Sequence, residues 1–240
     1  MISITMQPSR RDKLVAHAER LLDELIGLRA KYAMLRPLLF DRDTVAAWTA
    51  GKRGYGLSII RSTLVESCVL EIAKIALDKD NRTPSLLSLG AALADQNLVA
   101  ELREAYAVWN LVPTEGEDPD VIAILHASEK RDQEMRRKQF DSLVTELRDR
   151  WAKLHASSAL GSFGKMRDKI IAHNELQFDG TKYVPLDVAG LGLKYQDFDL
   201  VLAELDALVN LVSLVFRGAN FDFKGHDEQL AKAREGFWNS

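Results

Sequence analysis

Apolar residues recur in this chain at helical spacing, over stretches too long for strands. Leu14, Ala18, Leu21, Leu25, Leu28, Tyr32 and Leu35 follow one another three or four positions apart, which lines them along one stripe of a 3.6-residue helix. Arg10, Asp12, Glu19, Arg20, Asp23 and Glu24 fall on the other face. Ser9 or a neighbour supplies the N-terminal cap, and Pro37 is expected to mark the far end. His17 flanks the stripe and reads as a surface or boundary residue. Leu57 to Asp78 is apolar on most of its circumference, with Ile59, Ile60, Leu64, Val65, Cys68, Val69, Ile72 and Ile75, a pattern that predicts a helix central to a bundle. Arg61 shares a face with Val65, Cys68 and Ile72, so either its stem snorkels or its head meets a polar pocket.

The same period predicts helices over Ser85 to Ala94, Asn97 to Leu111 and Ser128 to Ala156, the last with Met135, Phe140, Leu143, Leu147, Trp151 and Leu154 inward. Another begins near Asp197, burying Phe198, Val201, Leu202, Leu205, Leu208, Val209, Val212 and Phe216, with Gly218 closing it. A polar helix from Asp227 to Trp238 ends the pattern. Between these lie the glycines of 51–56, which lack the Gly-Lys-Ser/Thr order and preceding strand of a phosphate loop. The acidic Pro/Gly stretch Pro113 to Asp120 reads as an excursion, and Ser157 to Gly164 as a break whose Ser162 caps the following helix. Gly180, between Leu176-Gln177-Phe178 and Tyr183-Val184-Pro185-Leu186, predicts a small hairpin or extended loop. The fold class is all-α, with long helices and one short insert. At 240 residues with no break in composition, a single domain over 1–240 is expected.

The charge of the chain narrows its partners. A net charge of −3 gives no overall attraction to nucleic acid, so any RNA site has to be a local basic patch. The most basic stretch holds Lys130, Arg131, Arg136, Arg137 and Lys138. A charge run is usually a solvated face; this one precedes the stretch described next and is a candidate phosphate contact. The single Cys68 excludes an intrachain disulfide and suits a reducing compartment. Met1 to Pro8 has no basic segment followed by a long apolar one, and Leu200 to Phe216 contains Glu204, Asp206 and Asn210, so neither a signal peptide nor a membrane span is read. A cytoplasmic protein without membrane contact is the expectation.

Chemistry concentrates in Met166-Arg167-Asp168-Lys169-Ile170-Ile171-Ala172-His173-Asn174-Glu175. A fixed cation, a carboxylate beside it and an imidazole further on sit in an otherwise apolar helical run. On an ideal helix Arg167 and His173 are roughly 120° apart around the axis and about 9 Å apart along it. A guanidinium on its stem reaches over that span, and a second copy of the helix brings two such pairs to one cleft. Spacing alone equally suits a histidine favoured at a helix C-terminus by the dipole, with Arg167 and Asp168 as surface charges. His17, His126, His155, His173 and His226 show no i, i+4 pair and no cysteine partner, so the spacing of a zinc site is missing and no metal or other cofactor is expected. No Gly-x-Ser-x-Gly element supports acyl transfer.

Arg167-Asp168-Lys169-Ile170-Ile171-Ala172-His173 resembles the Arg-x(4-6)-His signature of HEPN domains. With the short insert and apolar helix that follow, it is similar to the AbiU-like abortive-infection branch. The apolar helix ending in Leu77-Asp78, the polar turn and Ser85-Leu86-Leu87-Ser88-Leu89 add a second, less specific similarity. The resemblance implies a HEPN-type helical bundle and a metal-independent endoribonuclease of toxin or phage-defence kind. It implies His173 as general acid or base, Arg167 on the phosphate, and Asp168 orienting one of them. It further implies a homodimer in which two Arg167/His173 pairs line one cleft flanked by Lys169 and Asn174. Apart from the resemblance, Arg136, Arg137 and Lys138 of the basic stretch and Arg61 on its apolar helix face are the outlying candidate RNA contacts. RNA is the implied ligand, and a cognate antitoxin protein a further partner. A HEPN scaffold without catalysis, binding RNA, a nucleotide or a partner protein, is the alternative, and a helical protein outside the superfamily a third reading.

Overall fold

In the computed structural model the described residues are 9–49, 53–108, 118–172, 176–178, 180–185 and 191–238. Helix α1 (Arg10–Phe40) is followed by α2 (Arg42–Thr49), α3 (Arg53–Leu77), α4 (Leu86–Ala92) and α5 (Gln96–Ala107). Then come α6 (Pro119–His155), α7 (Ser158–Met166), a π-helical turn over Arg167–Ala172, a hairpin of β1 (Leu176–Phe178) and β2 (Tyr183–Pro185), α8 (Gln196–Arg217) and α9 (Phe223–Trp238). The expected all-α class with a small hairpin is what the chain adopts; β1 and β2 pair antiparallel, Leu176 opposite Pro185.

The core follows from the stripes. Leu21, Leu25, Leu28 and Leu35 of α1 face Phe198, Leu205, Leu208 and Val209 of α8, all without exposed surface. Each fully buried aliphatic side chain contributes about 1.5–3 kcal/mol of transfer free energy. α8 packs along both α1 and α6, and α3 closes against α1. Caps act where short polar residues precede a helix: Ser9 and Asp12 form a reciprocal box at α1, Ser85 and Ser88 another at α4. Gly218 takes φ 64° to end α8, a left-handed conformation that glycine adopts without a Cβ clash.

Four expectations are corrected. Pro37 lies inside α1, which runs on to Phe40; Asp41 N–H bonds the Pro37 carbonyl, so the final turn closes behind the ring. α3 is central only in its second half, where Cys68, Val69, Ile72, Ala73, Ile75 and Ala76 are buried, whereas Tyr55, Ile59 and Ile60 stand in solvent. α6 starts at Pro119, nine residues before Ser128, because Asp118 accepts from Asp120 N–H as the cap and proline occupies the first turn; its Met135, expected inward, is exposed and Val144 is buried in its stead. The break expected at Ser157 to Gly164 is helix α7, capped by Ser157 through Leu160 N–H.

The end of the chain is tied back by charge and aromatic contact. Arg29 on α1 is nearly covered and bridges Asp206 of α8 and Asp227 of α9, with its guanidinium 4.9 Å from the Phe223 ring centre. Trp48 of α2 stacks on Phe237 and meets Trp238 edge-on at 5.1 Å, closing a second cluster with Leu38 and Leu57. Cys68 has no exposed surface, and burial pushes its thiol up to about 12. Native protein at pH 8 is therefore expected to react with a thiol reagent only after denaturant is added; rapid labelling of the folded chain would show that α3 opens. No helix among the described residues is long and apolar enough to cross a membrane.

Candidate nuclease motif and its surroundings

The motif turn is positioned by α7. Phe163 has no exposed surface and meets Phe198 edge-on at 4.9 Å, and Phe198 in turn stacks on Tyr32 at 5.8 Å. That aromatic chain ties α7 to α8 and α1. On another side a Cβ at Gly164 would sit 3.1 Å from Leu77 Cδ1 of α3, so α7 approaches α3 as closely as it does because this position has no side chain. Ser162, expected as a cap, lies within α7, buried, with its hydroxyl donating to the Ser158 carbonyl.

Beyond Met166 the backbone widens from α to π over Arg167–Ala172. A π turn bonds i to i+5 and adds a residue to the turn, an uncommon geometry that recurs at functional sites. The ideal-helix spacing assumed from sequence is thus not the local geometry. Arg167 Nε donates to Asp168 Oδ1 at 2.6 Å, with the Arg167 side chain 30% exposed. The carboxylate holds the guanidinium from its Nε edge. The turn packs against α3 as well as α7. His173 and Asn174 lie outside the described residues. Lys169 is half-buried on the turn.

Two of the outlying cations have structural duties. Arg137 pairs with Glu104 through Nε and Nη2 at 2.9 and 2.8 Å, and Arg136 donates to the Ala107 carbonyl at 3.1 Å. Both hold α5 against α6, a task shared by Arg103 and Asp141 at 2.9 Å. Lys138 is exposed. Arg61 is exposed in the first half of α3, at the rim of a small cavity with Leu57 and Thr49; it snorkels outward.

The HEPN family model described as AbiU2 matches residues 11–237. The chain belongs to the HEPN superfamily, in its AbiU2 family. The match spans all the described helices from α1 to α9, so this HEPN fold includes the hairpin and the α9 tie as well as the motif. No curated protein and no solved structure matches the chain significantly.

Sequence reading missed a groove of about 950 Å³ between α6 and α8, lined by Asp141, Glu146, Asp149, Leu154, Leu200 and Glu204 among others. Leu200 is the one signal in the sequence: it falls off the buried stripe of α8 and is 63% exposed.

Proposed function

We propose that this HEPN protein cleaves RNA through Arg167 and His173, using the substrate's own 2′-hydroxyl as nucleophile, and acts as a toxin or phage-defence effector. The observation that carries the reading is the Arg167–Asp168 pair on a π turn, at the head of the Arg-to-His motif of a HEPN chain. In the reaction the 2′-oxygen attacks phosphorus, its proton passes to a base, the bond to the 5′-oxygen breaks, and that oxygen receives a proton. The products are a 2′,3′-cyclic phosphate and a 5′-hydroxyl. An imidazole, with an unperturbed pKa of about 6.5, serves as base or acid near neutrality. A guanidinium opposes the negative charge that builds on the phosphorane oxygens.

One imidazole supplies one of the two proton transfers, and a second copy of the chain supplies the other. The exposed first half of α3 supports such a homodimer: Tyr55 is 79% exposed, Ile59 48% and Ile60 45%, on the helix against which the motif turn packs. An apolar face of that kind is a common mark of an interface. RNA and a cognate antitoxin are the proposed partners.

The test uses purified protein and single-stranded RNA in excess chelator. Cyclic-phosphate ends are expected, and a 2′-deoxy nucleotide at the cut site is expected to block cleavage there. RNA that binds without being cut under any condition tried selects the non-catalytic scaffold. Asp168→Asn is expected to lower kcat by about tenfold with little change in KM, since a neutral partner holds a guanidinium less well than a carboxylate, and Asp168→Glu is expected to recover part of the loss. Equal kcat in wild type and Asp168→Asn would remove the positioning role.

A further inference from the structure

Helix α6 carries two unoccupied features on one face. Its first buried side chain is Phe140, and before Arg136 and Arg137 meet α5 the run 119–135 stands clear of the core for about 25 Å of helical rise. On this arm Ile124 is 69% exposed, Met135 61% and Val121 42%. Beyond it the same helix forms one wall of the groove shared with α8, through Asp141, Glu146 and Asp149. At 100° per residue, Ile124, Arg131, Met135, Ser142 and Asp149 all fall within about 40° of one line. The apolar arm and the groove therefore face the same way from opposite halves of one helix.

We propose that the groove receives the α6 arm of a second copy of this chain, the two α6 helices running antiparallel about a twofold axis near Phe140. The two halves complement each other. The arm's tip is apolar, and the far end of the groove is floored by Leu154, Ala159, Leu200 and Val201. The arm is basic at Arg131 and Lys138, and the wall it meets carries the carboxylate of Asp149, Asp141 at its edge being already held by Arg103. Within the groove Arg150 is already held by Glu146 at 2.9 Å and Glu204 at 3.4 Å, so that, with Lys153 also in the lining, Asp149 is the carboxylate left to meet Arg131. Antiparallel pairing about Phe140 sets Arg131 against Asp149 in both directions at once, as an isologous contact requires. The area suffices: a strip one helix wide, about 10 Å, along the roughly 55 Å of α6 hides about 550 Å² on each partner by helix dimensions. The total of about 1,100 Å² clears the roughly 1,000 Å² of a specific interface. RNA is a poor occupant, because the carboxylates of the wall repel phosphate.

The contact uses no motif residue and lies on a different surface from the first half of α3, so it stands or falls apart from the nuclease reading. Sedimentation equilibrium of the full chain tests it. Ile124→Glu, Met135→Glu, Arg131→Asp and Asp149→Arg are each expected to weaken self-association at least tenfold, with helix content by circular dichroism unchanged. The double swap Arg131→Asp with Asp149→Arg is expected to restore it to within about threefold, whereas Ile59→Glu on α3 leaves this contact intact. In addition, Arg131→Cys with Asp149→Cys is expected to yield a disulfide-linked pair of chains on mild oxidation, Cys68 being buried. Unchanged mass in the single variants, a double swap as weak as its parents, or a wild-type chain that stays monomeric at all concentrations would each overturn the proposal.

Discussion

Arg167→Ala is expected to slow RNA cleavage by about 10²–10³, the loss typical when one preorganised donor to a developing oxyanion is removed. His173→Ala is expected to cost about 10²–10⁴, the range for a general acid or base. The folded state should change little on the first substitution: the Arg167 side chain is 30% exposed and, among the described residues, its hydrogen bond is to the adjacent Asp168. A hundredfold slowing corresponds to about 2.7 kcal/mol of transition-state stabilisation, far more than the median exposed ion pair contributes to folding. The measurement is single-turnover cleavage of a labelled RNA beside a thermal melt. A variant that melts normally and cleaves at the wild-type rate would end the assignment; one that binds RNA normally but no longer cuts supports it. Arg167→Lys is expected to recover little, because an ammonium lacks the planar fork that spans two phosphate oxygens.

The largest effect on stability is expected from Phe163→Ala. Its ring has no exposed surface and lies edge-on to Phe198, which stacks on Tyr32, so truncation opens a cavity where α7, α8 and α1 meet. Phenylalanine-to-alanine changes in cores cost about 3–5 kcal/mol. For a chain of this size each kcal/mol lowers Tm by roughly 2–4 °C, giving a fall of about 6–20 °C by differential scanning calorimetry. Because α7 leads directly into the π turn, cleavage should fall as well in a sample that is still folded. Gly164→Val is expected to act on the same helix from its other side, at about 1–3 kcal/mol for overpacking, since its Cβ alone would come within 3.1 Å of Leu77. A melting point within a degree of wild type for Phe163→Ala would show that α7 is not anchored as described.

Much of the architecture was legible because it is local. The stripe from Leu14 to Leu35 and that from Phe198 to Phe216 each contain the information for a helix and for its buried face. Their burial agrees residue by residue with the period. The starts of α6 and α7 are legible too, in Asp118-Pro119 and Ser157; taking Pro, Gly and Ser as breakers hides them, because here those residues act as caps and as small packing surfaces. Met135 on α6 and Ile59 on α3 read as core because they are apolar. Burial, however, needs a neighbouring element, and none of the described ones covers them.

The amino-acid order by itself determined the helical class, the hairpin, the faces of α1 and α8, and the motif that marks the HEPN family, because hydrophobic period, turn chemistry and short motifs are written within a few residues of one another. Only the tertiary structure decided that the backbone at Arg167 winds as a π turn, that Arg136 and Arg137 are engaged with α5, and that α6 projects an unburied arm beside an acidic groove. Each of these depends on contacts between segments far apart in the chain, and such contacts are set by the packing of the whole bundle and not by any local pattern.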